Sequence, residues 1–318
     1  GTLMSTNYER LNIRSNIDFK LSKSVQLTTN LNVISDNNKY PGEWQWTYNP
    51  YLYLPDDSPY DADGNYRYVD GTTTDWFTRD KLNVLHNAQY NTYAVRSFTV
   101  NADAILSVNI TPWLTFQSRN RIAHYTNRDD QYKDSRTIEG KAVNGQVAFN
   151  TNLNTSSIST NLLKFSKDFT EDHHIGGFVG IEGAYETRED AGATKIGIAS
   201  GLTVPGAAST PTLITGDKTP IRAMSFLGSI DYDFKGKYFL SGSFRRDGSS
   251  LFGKSNRWGS FPAASAAWLI SAEDFMSPIE MVSFLKLRAS YGVIGNDNID
   301  PFQAVAVYNF SAQYNGNP

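Results

Sequence analysis

The side chains with the clearest chemical potential are the aromatic rings between residues 40 and 77. Planar aromatic faces stack on the apolar faces of sugars, and the same rings anchor protein interfaces. We therefore predict contacts with a ligand or a partner protein in this segment. Packing of the rings against one another is the favoured alternative. The candidate contact residues are Trp44, Trp46, Tyr48, Tyr51, Tyr53, Tyr66, Tyr68 and Trp76.

No arrangement typical of an enzyme is found in the sequence. The four histidines lie in no catalytic or zinc-binding motif, and no nucleophile–base pairing or phosphate-binding loop is present. His173 and His174 are adjacent, so in a strand they point to opposite faces and cannot chelate one metal. The chain has no cysteine, which excludes disulfides and cysteine-based zinc sites. We therefore predict no enzymatic activity, no cofactor and no metal site.

The segment from Asp61 to Asn65 resembles the start of a calcium-binding loop. Its glycine, Gly64, stands at the fourth position rather than the sixth, and Thr72 occupies the twelfth position, where such a loop needs a glutamate. An ordinary Asp-Gly turn is the favoured interpretation.

An alternation of apolar and polar residues runs along almost the whole chain and predicts β-strands. Leu11 and Ile13 share one face of the first strand, whereas Arg10 and Asn12 share the other. No segment approaches 18 consecutive apolar residues, which excludes a membrane-spanning helix. We predict about eleven strands, at residues 9–20, 24–34, 93–109, 113–126, 153–167, 174–187, 219–234, 238–247, 257–270, 284–295 and 303–312.

The connections between these strands alternate between short and long. This sorting is typical of outer-membrane barrels, in which tight turns face the periplasm and longer loops face outside. A soluble sandwich has no reason to sort its connections. Short connections are predicted at 21–23, 110–112, 168–173 and 235–237, with a moderate one at 271–283. Long or mobile connections are predicted at 35–92, 127–152, 188–218, 248–256 and 296–302.

Charged residues near the middle of several strands indicate which face meets water. An arginine that faced lipid at the midplane would cost about 2–4 kcal/mol, whereas one in a watery lumen costs little. The net charge is −3 and no basic run is present, which leaves no electrostatic footprint for nucleic acid. We predict a lumenal position for Arg10, Arg14, Arg119, Arg121 and Arg288.

A charged cluster flanks the reversal at Gly248. Arg245, Arg246 and Asp247 precede it, and Arg257 follows it. We interpret these residues as an ion-paired hairpin that holds two strands in register. The alternative is a cluster that binds anionic groups of a substrate.

The same region resembles a known family. Its blocks are Arg245-Arg246-Asp247-Gly248-Ser249-Ser250, Phe252-Gly253-Lys254-Ser255-Asn256-Arg257-Trp258-Gly259, Phe261-Pro262-Ala263-Ala264-Ser265-Ala266-Ala267-Trp268 and Leu285-Lys286-Leu287-Arg288-Ala289-Ser290-Tyr291-Gly292. Together they are similar to the SusC/RagA family of TonB-linked outer-membrane transporters of Bacteroidetes. The similarity covers most of the chain and is strongest between 226 and 296.

The resemblance implies an all-β fold, namely the wall of an antiparallel transmembrane β-barrel with 22 strands. It implies an outer-membrane importer of large nutrients such as glycans or peptides, with a SusD-like surface lipoprotein over the lumen and a TonB complex as energy source. Eleven strands are about half of 22, so we expect residues 1–318 to be a partial barrel domain. Its plug domain, TonB box and C-terminal strands would be absent. The TonB complex would then act through the missing N-terminal region. Residues 35–92 would form a long extracellular loop.

Two other function classes stay open at this point. An outer-membrane barrel enzyme would need a Ser/His/Asp set converging in the lumen. A soluble β-rich carbohydrate-binding or adhesin module would need apolar faces that meet across a sandwich.

Overall fold

The protein is described by a computed structural model that places residues 6–40, 53–279 and 281–301. This part of the chain forms one antiparallel sheet of ten strands, and each strand pairs with the next along the sequence. The all-β prediction is confirmed, and the predicted eleventh strand at 303–312 lies outside the described residues. The strands are β1 Asn7–Lys20, β2 Val25–Tyr40, β3 Thr92–Thr111, β4 Leu114–Lys133, β5 Gln146–Thr170, β6 His173–Ile196, β7 Thr210–Phe234, β8 Tyr238–Ser249, β9 Trp258–Leu269 and β10 Lys286–Gly292.

Among the described residues, helices are few and short. Their α-helices are α1 Val84–Tyr90 and α2 Ile138–Ala142, and both lie in connections between strands. Within the described ranges, no helix is long and apolar enough to cross a membrane.

The register gives the sheet two chemically different faces. One face, here called the apolar face, aligns Ile13 with Val33, which is in turn opposite Val100. The alternation places residues such as Arg14 and Asn32 on the other side, here called the polar face. Large hydrophobic side chains on the apolar face are exposed, as for Ile13 at 54%. The apolar face is therefore not covered by another part of the described chain.

Apolar burial in the described ranges is confined to the ends of strands and the connections. The buried apolar residues of the described ranges are Val69, Trp76, Leu82, Val84, Tyr132, Val147, Ile198 and Ala208. None of them lies in the middle of the sheet, and all described strands belong to one sheet. The two packed sheets that a soluble sandwich requires are thus not formed by the described residues, and that alternative is contradicted.

Four strands, β4 to β7, extend seven to nine residues farther into predicted loops than the sequence pattern indicates, and β2 extends six residues farther. The sequence pattern assigns residues 127–133, 146–152, 188–196 and 210–218 to long loops, yet β4 to β7 run through them without a break in pairing, apart from one local register shift. In 127–133 both faces are polar, and in 210–218 the apolar residues Leu213 and Ile214 are adjacent, so the alternation of apolar and polar residues is lost while the backbone ladder continues. Arg128, for example, pairs with Thr151 across β4 and β5. The connection predicted at 35–92 is likewise shortened to 41–91.

The alternation of short and long connections is confirmed from β1 to β9, whereas the link between β9 and β10 is longer than most of the connections at the other end. β1–β2, β3–β4, β5–β6 and β7–β8 are joined by the tight links 21–24, 112–113, 171–172 and 235–237, and β9–β10 by the moderate link 270–285. The connections at the other end of the sheet are 41–91, 134–145, 197–209 and 250–257. We call these the short-turn end and the long-loop end.

Aromatic rings and lysines gather at the short-turn end. The Lys167 ammonium lies 5.6 Å from the ring centre of Trp113 and 5.3 Å from that of Phe169. Across β8 and β9, the rings of Tyr238 and Trp268 stack with centroids 6.3 Å apart. Tyrosine and tryptophan rings combine an apolar body with a polar group, and lysine carries its charge on a long apolar stem. Such residues are typical of a boundary between an apolar medium and water.

Two glycines of β6 offer a test of the sheet geometry. A Cβ at Gly180 would lie 2.6 Å from the backbone oxygen of Asn161, whereas a Cβ at Gly183 would meet nothing within 4 Å. We expect Gly180→Ala to lower the free energy of unfolding by about 1–3 kcal/mol through overpacking, and the matched Gly183→Ala to be near neutral. Equilibrium denaturation of the two variants measures the difference. Equal stability of both variants would contradict the described strand spacing.

Candidate binding surfaces

The connection 41–91 holds the candidate aromatic contacts, and four of them, Trp44, Trp46, Tyr48 and Tyr51, lie outside the described residues. Trp76 is fully buried, and its ring meets that of Tyr53 edge-on at 5.1 Å. The Tyr53 hydroxyl donates to the carbonyl of Leu82 at 3.0 Å and accepts from the backbone N–H of Val84 at 2.9 Å. Both side chains therefore hold the connection together, as the packing alternative predicts.

A buried carboxylate, Asp57, fixes the same segment. It accepts hydrogen bonds from the backbone N–H of Thr78 at 2.9 Å and of Leu54 at 3.3 Å, and from the Thr78 hydroxyl. Burial alone would raise the pKa of Asp57, but these hydrogen bonds outweigh it and lower the pKa. The carboxylate is thus charged and fully used as an internal acceptor.

An exposed pair of rings lies beside the tip of this connection. The rings of Tyr60 and Tyr66 are 5.3 Å apart, and Tyr60 is 48% exposed. Between them, the Asp61 carboxylate accepts from the backbone N–H groups of Asp63 at 3.0 Å and Asn65 at 2.8 Å. Gly64 has φ +84°. The Asp-Gly turn is confirmed, and no group of side chains able to hold a metal occurs among the described residues.

Tyr68 lies on the side of the connection that faces α1 and α2. Its ring meets His86 of α1 at 5.5 Å and lies under the ammonium of Lys141, 4.8 Å away, at α2. Of the candidate aromatic contacts that the structure describes, Tyr66 and Tyr68 are partly exposed, whereas Trp76 is enclosed.

The loops at the long-loop end are joined through Asp134, whose side chain is only 1% exposed. Its carboxylate receives a two-pronged contact from the Arg136 guanidinium, with both nitrogen–oxygen distances 2.9 Å. The hydroxyl of Ser200 donates to it at 2.7 Å and that of Tyr132 at 2.8 Å. Asp134 also donates its backbone N–H to the side chain of Asn91 at 2.9 Å. One residue therefore connects three segments, namely 134–145, 197–209 and the end of 41–91. We call these three segments together the loop cluster.

The pKa of Asp134 reflects this environment. Burial opposes ionisation, yet the hydrogen bonds from Arg136, Ser200 and Tyr132 outweigh it and hold the pKa well below its usual range. Arg136 in turn lies 4.0 Å above the ring of Tyr90, the last residue of α1. Sequence reasoning missed Asp134. The available signal was Asp134-x-x-Thr137, since Thr137 caps α2 and donates its hydroxyl to the Asp134 carbonyl at 2.7 Å.

The five arginines predicted to be lumenal all lie on the polar face. Arg121 forms a two-pronged contact with Asp103 at 2.8 and 3.3 Å, and Arg119 lies 3.8 Å from the same carboxylate. Arg10 pairs with Asp36 at 3.5 Å. Within the described part of the chain, Arg14 and Arg288 form no ion pair.

The charged cluster around Gly248 is divided by the sheet, so the hairpin interpretation is only partly correct. Arg245 lies on the polar face, where it contacts Asp247 at 2.7 Å and Glu182 of β6 at 3.1 Å. Arg246 lies on the apolar face, against the ring of Trp258 at 5.6 Å. The ion pairs thus link β8 internally and to β6 rather than linking β8 to β9, because the β9 residues opposite Arg245 and Asp247 are the uncharged Phe261 and Gly259.

Comparison with known proteins decides the family resemblance. No family model matches the chain. It is 29% identical to TonB-dependent receptor P39 of Formosa agariphila over 99% of this chain and 30% of the relative, and 37% identical to TonB-dependent receptor SusC of Bacteroides thetaiotaomicron over 29% of this chain and 9% of that relative. The chain is similar over nearly its whole length to TonB-dependent receptors. The resemblance to the SusC/RagA family is thereby confirmed.

The length of the match limits what it covers. The chain spans about a third of the curated TonB-dependent receptors that it matches over nearly its whole length. These relatives are named as receptors, not as enzymes, so the comparisons give no support to a barrel enzyme.

Solved structures confirm the fold. The RagAB peptide transporter matches 96% of this chain and 36% of the compared chain with a TM-score of 0.79 at 20% identity. The open-open state of the RagAB peptide importer matches 96% of this chain and 35% of the compared chain with a TM-score of 0.77 at 19% identity.

Removing the charge of Asp134 should loosen the loop cluster. Asp134→Asn replaces one of the two acceptor oxygens with a donor, and we expect a local destabilisation of about 1–3 kcal/mol because Arg136 loses its ionic partner. Hydrogen–deuterium exchange of residues 197–209 should then become faster. The control is Asp56→Asn, at an exposed carboxylate for which the structure shows no hydrogen bond or ion pair. Unchanged exchange in Asp134→Asn would contradict the role of the carboxylate.

Acid should loosen the loop cluster in the same way. Because the folded pKa of Asp134 is lowered, its charge stabilises the cluster above its unfolded pKa. That stability is lost as the pH falls from about 4 through the folded value. Exchange of 197–209 is measured from pH 7 to pH 2.5 and divided by the intrinsic exchange rate of an unstructured chain at each pH. This ratio should rise only below about pH 4. The Asp134→Asn variant should lack this transition, and acceleration already at about pH 6 would contradict the assignment.

Proposed function

We propose that this chain forms part of the β-barrel wall of a TonB-dependent transporter in an outer membrane, which imports large nutrients such as glycans or peptides. The observation that carries the proposal is the uncovered apolar face, in a chain similar to TonB-dependent receptors over nearly its whole length. A sheet face with exposed side chains such as Leu240 at 55% and Leu287 at 61% needs an apolar environment. Lipid supplies that environment on the outside of a barrel.

The polar face then lines the lumen. On this assignment Arg121 and Asp103 form an ion pair in water, and Arg14 and Arg288 present charge to the interior, where cargo passes. The opposite assignment would place several arginines in lipid at about 2–4 kcal/mol each near the midplane. This difference in free energy favours the assignment of the polar face to the lumen.

The long-loop end faces outside on the same proposal. It carries the partly exposed rings Tyr66 and Tyr68, and the connection that contains Trp44, Trp46, Tyr48, Tyr51, Tyr53 and Trp76. The exposed pair Tyr60 and Tyr66 suits stacking on a sugar or contact with a SusD-like lipoprotein. Residues 1–318 are proposed to be a partial barrel domain. A plug and a TonB-contacting segment would be supplied by parts of the protein beyond these residues.

Two cargo classes are compatible with this proposal. RagAB, the solved transporter with the matching fold, is a peptide transporter, which supports peptides. The aromatic connection supports glycans, because rings stack on sugars. Growth of cells that lack the gene, on single glycans and single peptides as nutrient, tests both classes, with the restored gene as control. Unchanged growth on every nutrient would contradict an importer.

The lipid-facing side can be tested by one pair of substitutions. Ile230 is 54% exposed on the apolar face, and Ser243 is exposed on the polar face at a neighbouring level. We expect Ile230→Arg to reduce assembled barrel in outer membranes, because arginine near the midplane costs about 2–4 kcal/mol, and Ser243→Arg to assemble normally. Heat-dependent mobility in gel electrophoresis measures the assembled fraction. If Ile230→Arg assembled normally and Ser243→Arg did not, the polar face and not the apolar face would be the one that contacts lipid.

A further inference from the structure

The apolar face is interrupted by a groove that crosses β4 to β9. It has a volume of about 920 Å³. Small residues form its floor, among them Ser157, Ser159 and Gly183, and a Cβ at Gly183 would meet nothing within 4 Å. Ile122 and Met224 belong to its walls. The groove is open to the outside of the sheet.

A second depression lies next to this groove, toward the short-turn end. It has a volume of about 660 Å³, and Gly228 and Gly242 interrupt the large side chains there. Its other lining residues on this face, including Val179 and Phe244, are apolar. The two depressions, here together called the channel, follow each other along β6 and β7, as the path of an extended hydrocarbon chain requires.

Three arginines surround the end of the channel that lies toward the long-loop end of the sheet. Arg222 and Arg257 line the groove, and Arg246 lies against Trp258, one of its walls. Among the residues that the structure describes, none of the three guanidinium groups forms an ion pair. This contrasts with the other arginines of the apolar face, since Arg96 and Arg128 both pair with Asp130.

The arginines lie at a defined height on the apolar face. On β7 every residue of this face from Phe234 to Met224 is apolar, aromatic or glycine, and Arg222 is the first charged one. Ten residue steps at about 3.4 Å correspond to roughly 34 Å of strand. For a strand tilted by about 40°, this gives roughly 26 Å of height, close to the apolar band of outer-membrane barrels. Arg222 therefore lies where lipid headgroups begin at the long-loop end.

We propose that this channel is a specific binding site for a phosphorylated acyl lipid of the outer leaflet. The acyl chain would occupy the groove over Gly183 and Gly228, and the phosphate would contact Arg222, Arg246 and Arg257. Arginine suits this role because its planar guanidinium binds phosphate through two parallel hydrogen bonds. The rings of Tyr185, 5.4 Å from Arg222, and of Trp258 support the guanidinium groups. The inference rests on the proposed placement of this face in an outer membrane.

Native mass spectrometry of the whole transporter, extracted from outer membranes in mild detergent, tests the site. We expect wild-type protein to retain one phosphorylated lipid. We expect the triple variant Arg222→Gln, Arg246→Gln, Arg257→Gln to retain about tenfold less, because charge-assisted contacts are lost. Gly183→Leu should also reduce retention, since a Cβ at this position meets nothing within 4 Å and the longer side chain would occupy the groove. Arg288→Gln, which removes an unpaired arginine from the polar face, is the matched control and should retain the lipid.

Each contrary result is distinct. Equal retention in the triple variant, or equal loss in Arg288→Gln, overturns the lipid site. A polypeptide or a second copy of the transporter bound in place of lipid also overturns it. If the triple variant does not assemble, Gly183→Leu decides, because it leaves all three arginines in place. A detergent-extracted transporter without lipid overturns this inference alone, whereas a protein that is soluble without detergent overturns the proposed function as well.

Discussion

The continuous antiparallel ladder is the constraint on which the rest of the structure depends. Because β1 to β10 pair in unbroken order, every side chain is assigned to one of two faces, and a shift by one residue would exchange them. The assignment separates Arg245 from Arg246 and places Ile13 and Arg14 on opposite sides. Both the charges of the polar face and the uncovered apolar side chains follow from this register.

The sequence predicts most of the sheet correctly for a physical reason. Where one face is apolar, as with Leu11 and Ile13 in β1, the alternation is visible and the strand is found. Where both faces are polar, a segment such as 127–133 resembles a loop although it pairs residue by residue with β5. Sequence periodicity reports a difference between two environments, so it fails where the two environments are alike.

The loop cluster could not be predicted for a different reason. Asp134 meets Ser200, 66 positions away, and Asn91, 43 positions away, so its partners are set by tertiary structure. Likewise Trp76 resembles a surface ring by composition, yet it is buried against Tyr53. The polar-face arginines were easier to place, because the alternation within one strand decides their side.

The extension of β4 to β7 beyond the apolar band has a consequence for access to the protein. From Arg222 to the start of β7 at Thr210 the strand runs twelve residues farther, which at about 3.4 Å per residue and a tilt of about 40° is roughly 30 Å of height. On the proposed function, the paired extensions of β4 to β7 would hold the loop cluster that far above the lipid headgroups. Bulky cargo arriving from the medium would then meet these loops before it meets the membrane surface.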